Sequence, residues 1–268
     1  MSTLSVVGTP IGNLGDITLR AIEVLKNVDL ILCEDTRVTR KLLDKYEIKT
    51  HTLSYHMHSR LSRVEEIIGL LKSGKNLALV SDAGTPCISD PGSELVARIR
   101  KECAKEIEEN ELKIESIPGP SALISAFSIA GISHNDFTFL GFLPHKKGKE
   151  TLLKEIIASK RTMIFYESPH RILKTLKSLA TISITSPTTP LRDASHHAVK
   201  SRRGVSASLR DCCHAYYEDI QKSMKITVCR ELTKIFEEVV SGSVDEVVKY
   251  FELNSDKVRG EFVVIVSK

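Results

Sequence analysis

Short apolar runs alternate with amphipathic stretches through the first half of the chain. "LSVVG" (4–8), "VDLILCED" (28–35), "THTLSY" (50–55), Leu77–Ser81 and "LKIESI" (112–117) each read as a strand. Between them, Thr18–Asn27, Thr36–Tyr46, Leu61–Lys72 and a stretch from Gly92 to Glu109 read as helices. In the third of these, apolar residues stand at 61, 64, 67, 68 and 71, the spacing of one helical face. Strands that alternate with helices predict an α/β domain with a largely parallel sheet.

"PGPS" (118–121) interrupts this rhythm. Two prolines around one glycine cannot continue a strand, and the second suits the first turn of a helix. The domain boundary is placed here, giving an N-terminal α/β domain over 1–117 and a C-terminal one over 118–268. The second half predicts helix Ser121–Ala130, strand 136–143, helix Lys149–Ser159, strand 162–167 and a helix from Pro169. Strands at 225–231, 236–242 and 260–266, with a helix over Val244–Phe251, close the chain.

Residues 180–208 do not fit. Serine and threonine run throughout, two prolines intervene, and no helical or strand period persists. "LRDASHHA" (191–198) nearly repeats "LRDCCHA" (209–215), and joining Leu179 to Arg210 would restore one amphipathic helix. The segment reads as an insertion of roughly 30 residues, a length a loop tolerates at small entropic cost. The pair His196-His197 within it is read as part of a solvated tract, not as a metal site.

Composition excludes several classes. At 41% hydrophobic and 27% charged, the 268 residues have a globular balance. No apolar run approaches the ~18 residues of a membrane span, and the N-terminus lacks the basic and apolar regions of a signal peptide; the expected compartment is the cytoplasm. Six cysteines (33, 87, 103, 212, 213, 229) show no zinc spacing and are read as reduced thiols. The net charge of +4 hints only weakly at an anionic partner, because the first 117 residues are slightly acidic and much of the basic excess lies in 180–208. With no tryptophan and 5% aromatics, extended base-stacking platforms are not expected.

The candidate chemistry lies in four loops that follow strand C-termini: "GTPIGNLGD" (8–16), "EDTR" (34–37), "SDAGTPCISDPG" (81–92) and "PGPSA" (118–122). In open α/β sheets, ligands bind outside the carboxyl ends of the strands. The first loop lacks the G-x-G-x-x-G fingerprint of a dinucleotide site and any Walker lysine. In the third, Gly84 would let a ligand approach the backbone closely, and Asp82 could accept hydrogen bonds from a hydroxyl or amine. Ser89 or Asp90 could equally cap the helix that follows, and Asp35 with Arg37 could be no more than a cap and a surface ion pair.

The order "VGTPIGNLGDITLRA", "CEDTR", "SDAGTPCISDPG", "IPGPSA", "GFLPHKKGK", "FYESPHRI", "CRELTK", "GEFVVIV" resembles the bacterial 16S ribosomal RNA ribose 2′-O-methyltransferases of the tetrapyrrole methylase superfamily. The resemblance spans nearly the whole chain outside 180–208. It implies two α/β/α domains with S-adenosylmethionine in the cleft between them, usually as a homodimer. Carried over residue by residue, it puts Thr9, Pro10, Asp82, Ala83, Gly84, Thr85, Ser121 and Ala122 beside the cofactor, joined by Tyr166, Glu167, Glu231 and Leu232. Arg37, Lys146, Lys147 and Lys149 would face RNA phosphates. Glu34, Asp35, His56 and His58 are the candidate general bases. Members of the family read "HEHN" or "HDHN" where this chain has "HMHS" (56–59), so the role of that loop is open. The implied substrate is a decoding-centre cytidine of 16S RNA in the assembled small subunit, with no metal. The alternatives are a small-molecule, tetrapyrrole-type methylase, a nicotinamide-dependent oxidoreductase, and a non-catalytic RNA-binding module.

Overall fold

The computed structural model describes residues 1–56, 61–133, 136–182 and 224–268. It divides into two compact units, the first comprising Met1–Ser125 with Leu232–Ile235, the second Ala126–Glu231 with Phe236–Lys268. The division falls inside a helix, Ala122–Ile129, and not at the Pro118 turn.

In the first unit, β1 (Ser2–Val7), β2 (Leu30–Cys33), β3 (Thr52–Ser54), β4 (Leu77–Leu79) and β5 (Leu112–Ile117) form one sheet in the order β3-β2-β4-β1-β5. Every pairing in it is parallel. Alternate residues serve opposite faces. Leu4, Leu32, Leu77 and Leu79 pack with α3 (Leu61–Lys72) and α4 (Gly92–Glu102), through Val64, Ile67, Leu95 and Ile99. Val7, Ile31, Cys33, Ala78 and Val80 pack with α1 (Leu19–Asn27) and α2 (Thr36–Lys45), through Ala21, Leu25, Leu42 and Leu43. Strands covered on both faces are apolar throughout, as β2 and β4 inside the sheet are, whereas the edge strands β3 and β5 keep polar residues. Leu77 sits fully buried on a central strand, and truncating such a leucine to alanine costs about 2–5 kcal/mol.

Local chemistry sets the helix ends. Thr18 caps α1 by accepting the Ala21 N–H, and Asp35 caps α2 by accepting the Arg37 N–H. The helix expected over 92–109 is broken at Cys103, whose backbone leaves helical geometry (φ −114°, ψ 27°) while its side chain stays in the core. A short α5 (Ala104–Glu108) follows, and α6 (Ala122–Ile129) leads into the second unit.

The second unit holds β6 (Phe137–Phe142), β7 (Thr162–Glu167), β8 (Lys225–Arg230), β9 (Glu238–Gly242) and β10 (Phe262–Ser267), in the order β6-β7-β10-β8-β9. Only β6 and β7 pair in parallel; the other three pairings are antiparallel. One face packs on α7 (Lys149–Ala158), α8 (Ile172–Thr181) and α9 (Val244–Leu253), around Phe165, Phe251 and Phe262. Helix α8 starts at Ile172 and not at Pro169, because residues 168–171 form a turn held by Glu167. The segment read as an insertion lies, from residue 183 on, outside the described residues. Among the described residues, no helix is long and apolar enough to cross a membrane.

Candidate functional site

Strands β1 and β4 are neighbours, yet the helix after β1 lies on one face of the sheet and the helix after β4 on the other. The chain therefore leaves two adjacent strand ends in opposite directions. Such a reversal opens a crevice at the carboxyl edge, where ligands of open α/β sheets sit.

Three of the four loops at this edge form one block. Thr9 and Gly84 make a two-bond bridge, with N···O distances of 2.9 and 3.1 Å. The Thr9 hydroxyl donates to the carbonyls of Ser81 and Gly84, and the Ser81 hydroxyl to those of Ala83 and Gly84. Thr85 donates to the Pro120 carbonyl at 3.0 Å. Gly8 and Gly119 meet backbone to backbone: a Cβ on Gly8 would lie 2.8 Å from the N and Cα of Gly119. The loops after β1, β4 and β5 thus hold one another before any ligand arrives.

This block changes the reading of two candidates. Gly84 was expected to let a ligand approach. It is buried, with φ +82°, and a Cβ there would lie 3.2 Å from Ile11 Cγ2, so its own fold already demands glycine. Thr9 is buried, and its hydroxyl is engaged in the bridge. Pro10 is buried too, whereas Asp82 and Ala83 are exposed and Thr85, Ser121 and Ala122 are half-buried on the same block. Leu232 belongs to this unit: its neighbour Thr233 accepts the Asn13 N–H of the first loop at 3.1 Å.

The loop after β2 joins through Asp82, whose carboxylate accepts the Asp35 N–H at 3.0 Å. The two candidate carboxylates there differ in kind. Burial raises the pKa of Glu34 above its ordinary value, and the negative charges of Asp82 and Asp90 add to the effect. Asp35 is held at about 2, chiefly by its side-chain bonds with Arg37 and by the Arg37 N–H it caps. Arg37 itself is paired with Asp35 but 87% exposed. His56 lies exposed after β3, and His58 falls outside the described residues.

The second-unit candidates divide. Glu167 is buried, and its carboxylate accepts from the Ser168 N–H, the Thr175 hydroxyl and Arg171, with Lys149 at 3.7 Å. Lys149 is turned inward onto Thr175 and Glu167, and burial lowers its pKa. It is therefore a structural cation, and of the lysines in the "HKKGK" run only Lys146 and Lys147 are exposed to meet a phosphate. Tyr166 lies edge-on against Phe139 and Phe142. Glu231 has φ +50° and accepts the Glu261 N–H, over a glycine, Gly260, whose Cβ would collide with its carboxylate.

The charge of the four strand-end loops tests what they could hold. They carry Asp16, Glu34, Asp35, Asp82 and Asp90 against one cation, Arg37. That set suits a ligand with positive charge, hydroxyls and an amine, as S-adenosylmethionine has, and repels a pyrophosphate. Among the described residues, no three His, Cys, Asp or Glu side chains are placed to hold a metal ion. The Gly8–Gly119 contact and the role of Ser81 escaped the sequence reading. Their only trace there was a glycine within two residues of a proline in each of these loops.

A family model described as Tetrapyrrole (Corrin/Porphyrin) Methylases matches residues 3–248. The chain is 39% identical to the Ribosomal RNA small subunit methyltransferase I of Thermotoga maritima, over 100% of this chain and 99% of that protein. It is also 39% identical to the protein of the same name from Bacillus subtilis, over 99% of this chain and 75% of that one. Among solved structures it is similar to a cobalt precorrin-4 methyltransferase, with a TM-score of 0.59 at 15% identity over 99% of this chain and 94% of that one. A diphthine synthase matches with the same TM-score at 12% identity, over 99% and 90% of the two chains.

Proposed function

We propose, for a chain that belongs to the tetrapyrrole methylase family, that it transfers the methyl group of S-adenosylmethionine to a ribose 2′ oxygen of 16S ribosomal RNA. The similarity, over nearly the whole of this chain, to relatives named for small-subunit ribosomal RNA methylation carries this reading. The acidic, pre-assembled loop block supports it, and the same acidity, with the missing G-x-G-x-x-G, speaks against a nicotinamide cofactor.

S-adenosylmethionine, when bound, supplies a methyl group already activated by its positively charged sulfur. The chain's own residues hold and orient. Asp82 offers a carboxylate oxygen to hydroxyl or amine donors while its other contact keeps the Asp35 turn in place. Main-chain groups of Ala83 and Thr85, with Ser121 and Ala122, provide the remaining wall. The internal bonds of Thr9, Ser81 and Thr85 fix that wall in advance, which reduces the ordering cost of binding. Glu34 takes the proton of the attacking hydroxyl: its raised pKa makes it a better acceptor than Asp35, whose affinity for a proton is very low. Arg37, Lys146 and Lys147 face phosphates and set the register of the RNA without reading bases.

The same reading extends to a decoding-centre cytidine in the assembled small subunit, a homodimer, and the cytoplasm. The test is to incubate the full chain with S-adenosylmethionine and unmethylated small subunits, then map 2′-O-methyl marks. One new mark on 16S RNA is expected. Methylation of a tetrapyrrole with no mark on RNA would overturn the proposal. Thermal stabilisation by S-adenosylmethionine and not by NAD tests the cofactor separately.

A further inference from the structure

We propose that the exposed end of the β6–β7 edge is a binding surface for an unpaired stretch of RNA, with Phe142 stacking on a base and Lys146, Lys147 and Lys174 facing its phosphates. The proposal rests on the RNA substrate argued above and adds where, and in what form, the second unit grips it.

Strands β6 and β7 run parallel, so the segments after them, 143–148 and 168–171, emerge at the same end of the sheet. Arg171 ties the two together: it donates to the Leu143 carbonyl at 2.9 Å and pairs with Glu167 at 2.7 Å. Neither segment carries an acid, and Glu167, the last residue of β7, is buried between Arg171 and Lys149. What remains outside is basic or neutral: His145, Lys146, Lys147 and His170 are exposed, as is Lys174 in the first turn of α8, near Lys149. The exposed acids at this end are Glu150, which is paired with Lys154 at 2.8 Å, and Glu261; the cations outnumber them, and such a surface attracts a polyanion.

Phe142 ends β6, an edge strand, and is 57% exposed. Its ring is propped edge-on by Tyr166, with centroids 5.4 Å apart, and Tyr166 is braced in turn by Phe139 at 4.9 Å. An aromatic held firmly in water beside phosphate-binding lysines is the arrangement that grips single strands, because every base has a face to stack. A duplex keeps its bases stacked on one another and offers no such face, which is why the form proposed is unpaired.

The experiment uses the full-length chain and a fluorescent RNA of about ten nucleotides, a length in the range one such surface spans. Phe142→Ala should weaken binding of the single strand about tenfold or more, the size of one lost base stack. The salt slope of binding and the affinity for S-adenosylmethionine should not change. Phe142→Trp should restore binding. Lys146→Gln with Lys147→Gln should reduce the salt slope by about 1.4, two phosphates' worth for a single strand. Equal single-strand affinity of wild type and Phe142→Ala would overturn the inference. So would equal losses on single strand and duplex, or a change in sedimentation mass that accounts for the loss and makes this a contact between copies of the chain. A wild-type chain that methylates small subunits while Phe142→Ala changes nothing sinks this surface alone. A wild-type chain that neither binds nor methylates RNA sinks the function itself.

Discussion

Replacing Gly8 with alanine tests the loop block at its tightest point. The new methyl would stand 2.8 Å from both the N and the Cα of Gly119. Carbon atoms in good contact keep about 3.5–4.0 Å, so the loops must separate by most of an ångström. A flexible side chain could swing aside; here both partners are backbone, at the ends of adjacent strands β1 and β5. Overpacking a core costs about 1–3 kcal/mol, and a clash between two fixed backbones belongs at the upper end, about 3 kcal/mol. At about 2–4 °C per kcal/mol for a chain of this size, the melting transition of the first unit should fall by roughly 6–12 °C. Calorimetry of the full chain reads this directly. Gly119→Ala should behave alike, since its methyl would meet the Gly8 carbonyl at 2.8 Å. Gly69 provides the control: it lies inside α3 with nothing within 4 Å of a new Cβ. Gly69→Ala should therefore stabilise by about 1 kcal/mol, the helix propensity gain alone. Stabilisation by S-adenosylmethionine should shrink in both loop variants and persist in Gly69→Ala. A Gly8→Ala chain that melts with the wild type and binds the cofactor normally would falsify the claim that the two loops touch and that their contact shapes the site.

Other perturbations separate the charged groups. Glu34 has a raised folded pKa, so the stability it contributes is full below the ordinary value of 4.5 and lost as pH rises through the folded value. Glu34→Gln should then melt higher than wild type at pH 8, match it near pH 3, and transfer methyl groups more slowly throughout. Glu167→Ala strips the counter-charge from two enclosed cations, Arg171 and Lys149; denaturant unfolding should show a loss of about 3–5 kcal/mol, and Glu167→Gln, which keeps hydrogen-bond acceptors, a smaller one. Arg37→Ala should raise the Asp35 pKa from about 2 toward 3.8, visible by carboxyl NMR. Because a depressed pKa gives stability above the unfolded value and loses it as pH falls through the folded one, this variant should also lose stability at a higher pH on the acid side.

The elements were legible because period and capping agree. Strands β2 and β4 lie inside the first sheet and so read as plain apolar runs, the edge strands β3 and β5 carry polar residues among their apolar ones, and Thr18 and Asp35 stood where caps belong. The break at Cys103 was not legible: nothing in "RKECAKEIEE" interrupts the helical period, and the turn arises from where that thiol must sit in the core. The direction of Lys149 was equally hidden. "HKKGK" reads as one basic run, and only the placement of Glu167, in a different strand, turns the last lysine inward while leaving two outside.

The candidate site shows the same limit from the other side. Sequence identified the loops but assigned their residues to a ligand one by one, as though each polar or small side chain faced outward. Thr9, Gly84 and Thr85 instead spend their hydrogen bonds and the missing Cβ on the loop block itself, together with Ser81. Such residues still govern binding, by fixing where Asp82 and Ala83 stand, but a substitution at any of them perturbs fold and ligand together. Gly84→Leu, the obvious variant from the sequence, would thus strain a buried residue at φ +82° and leave the cause of lost binding undecided. Asp82→Ala gives the cleaner contrast. The side chain is exposed and makes one hydrogen bond to the Asp35 turn, so its removal should leave the melting temperature within about 2–4 °C of wild type, the effect of about 1 kcal/mol for one exposed bond. Cofactor affinity should drop by about tenfold or more, the value of a hydrogen bond to a charged group. Isothermal calorimetry decides: unchanged affinity in a folded Asp82→Ala chain removes the carboxylate from the site, and leaves the block a scaffold for some other face.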